Sequence, residues 1–338
     1  MYVCGLRVRS GDRIALGTGL RATTGPAPRP TRSEGIIRVV TRYRILTRKR
    51  WVAIAAPVAA ATAMSLAPLA ASQAATPPAS TPAAPAAPAR PAAALPVMTF
   101  KMNGKTVAIG GALKSGAERI VFTVTGEAQG GPALIRLDPG VTLAQFFAHL
   151  AAAAQDPNNL YGVGQIAMST EADKGTSSVM MNLAPATYVA LDLNAPAKIP
   201  PLATFHVTAS KHPAALPKPG ATISSIEFGF RGASTVKVGE IVRWANAGFL
   251  VHMIVGAEAP SLSVANQIAA DLKAGNDNAA QALAIGFYSW DEALSHGESF
   301  ESVIHQHAGF WVIACFMDTQ DGREHTTLGM EKVIQILP

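Results

Sequence analysis

Four side chains toward the C-terminus are of metal-binding type: His252, Cys315, His325 and Met330. His252 lies in RWANAGFLVHMIVG, after an Asn-Ala-Gly turn. The other three share one segment, ACFMDTQDGREHTTLGM, spaced Cys-x9-His-x4-Met. Two imidazoles, a thiolate and a weak axial thioether suit an ion that cycles between Cu(II) and Cu(I). The soft sulfurs favour the reduced ion and imidazole serves both states. If a rigid frame holds the donors, little rearrangement accompanies electron transfer. Cys4 is the only other cysteine, so the part of the chain that carries the site has no disulfide partner for Cys315. The competing reading is a buried inert thiol among structural histidines.

The remaining reactive residues carry weaker patterns. His305 and His307 alternate and would share one strand face. A pair with no third ligand is a poor metal site, so a solvated face is the better reading. Asp291, Glu292, Glu298 and Glu301 read as a solvated acidic loop rather than as paired catalytic carboxylates. Trp311 and Phe316 read as core. No Gly-x-Ser-x-Gly elbow marks a hydrolase nucleophile.

The elements that must position the four residues are strands. From residue 97 onward, short β-rich runs alternate with Gly, Pro, Asn and Asp. Val121–Thr125, Thr187–Leu191, Thr204–Thr208, Ile223–Phe230, Val236–Ala245 with a turn at Gly239-Glu240, Val303–Phe316 and Lys332–Leu337 read as strand, an all-β pattern with sandwich-like spacing. Two segments have helical period instead. Leu143, Phe146, Phe147 and Leu150 form one apolar stripe, and Val264, Ile268 and Leu272 form another.

The order of elements repeats. PALIRL (132–137), the first stripe, a Gly-rich loop, NLAPATYVALDL (182–193) and ATFHVTAS are echoed in the second half. There the order is VHMIVG (251–256), the second stripe, AIGFYSWDEA, IHQHAGFWVIACF (304–316) and MEKVIQIL. The halves are expected at 97–210 and 220–338, meeting in the Pro-rich stretch 211–220. In this alignment Asp192 stands where Cys315 does, PALIRL has no histidine, and His149 and His206 fall on a helix and a strand. The first half therefore reads as metal-free.

The segments NAGFLVHMIVG, the Cys-His-Met loop and the Gly-Met before the last strand resemble the cupredoxin family, the plastocyanin and azurin type of blue-copper protein. The resemblance is close over about 220–338 and loose over 97–210. It implies a Greek-key β-sandwich, which the repeat and the two helical stripes make into two tandem copies, each with a short inserted helix. It also implies one copper, with His252, Cys315 and His325 as equatorial ligands and Met330 axial. The family usually places two to four residues between the cysteine and the second histidine. Here there are nine, with an Asp321-Gly322 turn to fold the excess outward. The implied role is a one-electron carrier or copper holder with an unidentified redox partner, rather than a catalyst. The alternative is a metal-free binding module. A two-domain multicopper oxidase or nitrite reductase would need histidines beside the cysteine, and Ala314 and Phe316 stand there instead.

Composition narrows the setting. Of 338 residues 49% are hydrophobic and 15% charged, too apolar for a disordered chain. The net charge of +6 is a property of the leader: residues 1–50 hold 12 Lys/Arg against 2 Asp/Glu, and residues 75–338 hold 16 against 20. An acidic folded part argues against a nucleic-acid binder, which needs clustered cations. Residues 42–74 join a basic stretch, the apolar run 51–70 and small residues, and read as a signal peptide cleaved after Ala74, hence a secreted or extracytoplasmic protein. A retained anchor is the alternative; with cleavage, no membrane span remains in the mature chain. Residues 1–41 read as an overextended start or a disordered segment, and the Pro/Ala-rich 75–96 as a linker.

Overall fold

A computed structural model describes residues 94–153, 156–197 and 200–338. The leader, its apolar run and nearly all of the Pro/Ala linker lie outside these residues. Among the described residues no helix is long and apolar enough to cross a membrane.

The fold is mostly β. The first half runs β1 (Val97–Met102), β2 (Val107–Gly111), β3 (Gly116–Gly130), β4 (Pro132–Leu137), helix α1 (Leu143–Ala153), β5 (Gly164–Ser169), β6 (Ala172–Leu183), β7 (Ala186–Asp192) and β8 (Leu202–Val207). The second runs β9 (Ala221–Ile226), β10 (Gly229–Gly232), β11 (Thr235–Lys237), β12 (Ile241–Asn246), β13 (His252–Ala259), helices α2 (Leu262–Lys273) and α3 (Asp277–Leu283), β14 (Gly286–Leu294), β15 (Ser299–Val303), β16 (Gly309–Ala314) and β17 (Glu331–Leu337).

One eight-stranded sheet, β10-β9-β12-β15-β6-β3-β1-β2, passes through both halves. It is joined at its centre where Phe300 of β15 faces Met181 of β6. A four-stranded sheet, β5-β4-β7-β8, packs on the first half of it, and a five-stranded sheet, β11-β17-β16-β13-β14, on the second. The pairings correspond strand for strand. The order β2-β1-β3-β6 recurs as β10-β9-β12-β15, and β5-β4-β7-β8 as β14-β13-β16-β17.

The two-residue period of a strand explains the layering. In β7, Tyr188 and Ala190 join the core shared with the large sheet, while Val189 and Leu191 join a second core on the outer face. In β16, Trp311 and Ile313 point inward, and Val312 and Ala314 meet α2 and α3. Both faces of the inner strands β4, β7, β13 and β16 are largely buried, so these four read as nearly continuous apolar runs. Phe100, Phe122, Trp244, Trp290 and Phe300 fill the shared core, with the indoles of Trp244 and Trp290 stacked at 5.1 Å.

Several expectations need correction. Ile223–Phe230 is not one strand. It turns at Glu227-Phe228 between β9 and β10, which pair antiparallel with Ile226 facing Gly229. The run 303–316 is broken between β15 and β16. The second half carries two helices rather than one, because Asp277–Leu283 adds a short helix that buries Ala280. The first helical stripe is buried only at Phe146; Leu143 and Phe147 are exposed. The second is buried at Ile268 and Leu272, with Ser261 capping its start through Val264 N–H at 3.3 Å.

Candidate metal centre

His252 begins β13, and a locked turn delivers it there. The Asn246 carboxamide donates to the carbonyls of Leu250 and Leu294, both at 2.7 Å, and accepts from Gly248 N–H at 2.8 Å. These bonds use both amide donors and the acceptor, so the turn before His252 has one conformation.

Cys315 follows β16 directly. The nine residues after it do not string His325 away from the sheet. Asp318 bridges Glu324, Thr319 N–H donates to Arg323 O at 2.8 Å, and Gly322 N–H donates to Thr319 O at 2.8 Å. This small hairpin is pinched at its base by His325 N–H to Met317 O, 2.9 Å, so the excess length projects outward. His325 then opens a 3-10 turn, His325–Leu328, closed by Gly329 at φ +99, where any other residue would be strained. Met330 N–H returns to His325 O at 3.0 Å and Met330 O accepts from Cys315 N–H at 3.2 Å.

Three of the four expected residues are brought together as donors. His252 Nδ1 lies 3.2 Å from His325 Nδ1, and Cys315 Sγ lies 3.8 Å from the first and 3.3 Å from the second. All three side chains are buried. Met330 is fully buried in the same apolar cluster as Cys315, Val251 and Met253. Met253 N–H points at Sγ from 3.4 Å.

Burial sets the protonation states. It lowers His252 to about 4, with His325 adding repulsion and Glu227 opposing. It lowers His325 to about 4 as well, against the pull of Asp156 and Glu227. Both imidazoles are therefore neutral at neutral pH, the form that binds a metal. Burial pushes the Cys315 thiol up to about 12, with Asp291 and Asp318 adding to the shift and the Met253 and Met317 amides opposing it. The thiol keeps its proton until ligation removes it.

Three contributors escaped the sequence reading. Glu227 accepts from Leu250 N–H at 3.0 Å and from Phe249 N–H, and its Oε1 lies 3.7 Å from His252 Nε2. The Phe228 ring meets His325 edge-on at 5.1 Å. Phe228 has φ +56, the only described non-glycine residue with positive φ, at a cost of about 1–2 kcal/mol. One signal for this hairpin was available: Ile223 and Ile226 are three apart, which breaks the two-residue period. The third contributor, Asn158, comes from the first half, where it follows Asp156 in the turn Pro157–Leu160. Its carboxamide oxygen accepts from Val251 N–H at 2.7 Å, one residue before His252. No local pattern announces that contact.

Other expectations change. His305 and His307 lie between β15 and β16, outside any strand, both exposed, with His307 Nδ1 3.8 Å from Glu258. The four acidic residues are not a solvated loop. Asp291 is fully buried in β14, accepts from Ala293 N–H at 3.0 Å, and is pushed well above the usual carboxylate range by burial. Glu301 is fully buried and accepts from Arg243 at 2.6 and 3.0 Å. Glu298 pairs with Arg136 at 2.5 Å, and Glu292 lies in β14. Trp311 is core, edge-on to Trp290 at 5.5 Å, and Phe316 is half-buried.

No protein-family model and no curated protein matches the chain. Among solved structures, auracyanin B is 14% identical over 37% of this chain and 94% of its own, with a TM-score of 0.22. A dithionite-reduced auracyanin from Roseiflexus castenholzii is 18% identical over 35% of this chain and 95% of its own, TM-score 0.23. The reduced Cu(I) form of an amicyanin variant is 11% identical over 36% and 85%, TM-score 0.21.

Proposed function

We propose that this chain is a copper-binding protein of the blue-copper type. In this reading it is a duplicated cupredoxin-like sandwich whose second half takes one ion and uses it to carry single electrons or to hold copper. The observation that carries the reading is the convergence of His252 Nδ1, His325 Nδ1 and Cys315 Sγ, all within 4.8 Å of one another. The donors fit the ion: two neutral imidazoles and a sulfur are the set that serves copper in both oxidation states. Met330, buried in the same apolar cluster as Cys315, would add its thioether as a weak fourth donor.

When bound, copper supplies a one-electron couple between Cu(II) and Cu(I). The chain does the rest. Strand β13 and the 3-10 turn fix the two imidazoles, and the end of β16 fixes the thiol. Burial keeps both histidines neutral and excludes water, and the Met253 amide orients the sulfur. With the leader read as a signal peptide, the protein acts outside the cytoplasm beside an unidentified redox partner.

The test is copper loading of the full chain. One copper per chain with an intense thiolate-to-copper band is the expected result, and Cys315→Ser should abolish the band. An unchanged spectrum in Cys315→Ser sinks the ligand assignment. No stoichiometric copper leaves the metal-free binding module. Several coppers per chain point to a multicopper enzyme.

A further inference from the structure

We propose that Glu227 is the positioning residue of this centre, selecting the His252 tautomer that turns the Nδ1 lone pair toward Cys315 and His325. The inference rests on the copper reading for its purpose but on its own geometry for its content. His252 Nε2 is buried and has no hydrogen-bond partner, and Glu227 Oε1 stands 3.7 Å from it. A buried N–H is strongly drawn to an acceptor close by, and Glu227 offers a carboxylate.

The surroundings are shaped for this approach. Gly248 separates the two groups. A Cβ there would sit 2.7 Å from Glu227 Oε1 and 2.8 Å from His252 Nε2, so only glycine leaves the opening through which they face each other. The Glu227 carboxylate is itself held, because the Phe249 and Leu250 amides donate to the same oxygen. The next residue, Phe228, adopts the left-handed conformation at φ +56 and lays its ring on His325. A two-residue hairpin tip therefore serves both imidazoles, one residue to each. The strained backbone at Phe228 fits a tip whose placement matters more than its local comfort.

Outer partners of metal-binding histidines fix the ring's tautomer and orientation, and their loss typically weakens metal binding ten- to a hundredfold. Glu227→Ala should weaken Cu(II) by about that factor while keeping the thiolate-to-copper band, since all the ligands remain. Glu227→Gln, which still offers an oxygen, should recover most of the loss. Gly248→Ala keeps the Glu227 side chain but fills the opening, and should behave as Glu227→Ala does.

A second readout needs no metal. Side-chain 15N NMR of the copper-free protein should show His252 protonated at Nε2 in the wild type. The proton should move partly to Nδ1 in Glu227→Ala and Gly248→Ala. An unchanged tautomer in both variants overturns the proposal, as does a wild-type His252 protonated at Nδ1. If the wild type binds no copper, the functional reading fails, and the tautomer measurement still decides the role of Glu227.

Discussion

The two halves of the molecule share a strand order and differ in what closes it. At the end of β7 stands Asp192, fully buried, whose Oδ1 accepts from Gly131 N–H at 3.1 Å and Asn194 N–H at 3.2 Å. Immediately after β16 stands Cys315, whose sulfur meets two imidazoles. One residue secures a loop to the sheet, and the other offers a soft donor. The connections that follow differ accordingly. Residues 193–201 join β7 to β8, while the longer 315–330 joins β16 to β17 and brings in His325 and Met330. The histidines of the first half, His149 and His206, are exposed, and among the described residues neither joins a group of possible metal ligands. A shared frame thus fixes where a site can be built, and the strand-end residue with its loop fixes whether it is built.

The first half still reaches the site. Asn158 holds the backbone before His252, Arg136 of β4 pairs with Glu298, and Ser295 N–H donates to Ile166 O at 3.0 Å. The halves also share one core through the large sheet. The strongest way to break the comparison is therefore at the seam. Phe300→Ala, in β15 beside β6, should cost about 3–5 kcal/mol. Both halves should then melt in a single calorimetric transition at lower temperature. Two separated transitions would show that the halves fold independently.

Asp192→Ala should cost about 2 kcal/mol, because two amides lose a buried acceptor. Copper uptake per folded chain should not change, and a loss of copper here would contradict the division of roles. Arg136→Ala should cost about 1–2 kcal/mol, since the pair is only partly shielded from water. Burial holds the Glu298 carboxyl above its usual range, and Arg136 pulls it back. A raised carboxyl pKa means stability is lost as pH rises through it. Removing Arg136 raises that pKa further, so the variant's deficit should be larger at neutral pH than near pH 4. Denaturant titrations at the two values check the sign.

The smallest effect is expected from Asn158→Ala, about 1 kcal/mol with a severalfold weaker copper affinity, read by competition titration. An unchanged affinity would confine the centre to the second half.

What the chain's local order encodes is visible without the fold. Residue types and spacing, Cys-x9-His-x4-Met with His252 upstream, mark the donors. The period of two marks most strands and the period near four marks two helices. These signals are local, since each depends on neighbours within a turn or a strand. The hairpin tip at Glu227-Phe228 was half legible, as a break in alternation whose meaning lies elsewhere. The buried acids were not legible, because a carboxylate's surroundings are set by the strands packed against it.

Only the tertiary structure decided which atoms converge. His252 and His325 are 73 residues apart in the chain, and their Nδ1 atoms meet because β13 and β16 pair in one register. The same pairing places Cys315 at the sheet's end, and β9 and β10 set Glu227 against His252 from a third direction. The sequence by itself determined that a soft, imidazole-rich donor set exists on a β frame. Sheet pairing, which satisfies backbone hydrogen bonds across long loops, determined that the donors form one buried centre and that the first half helps to hold it.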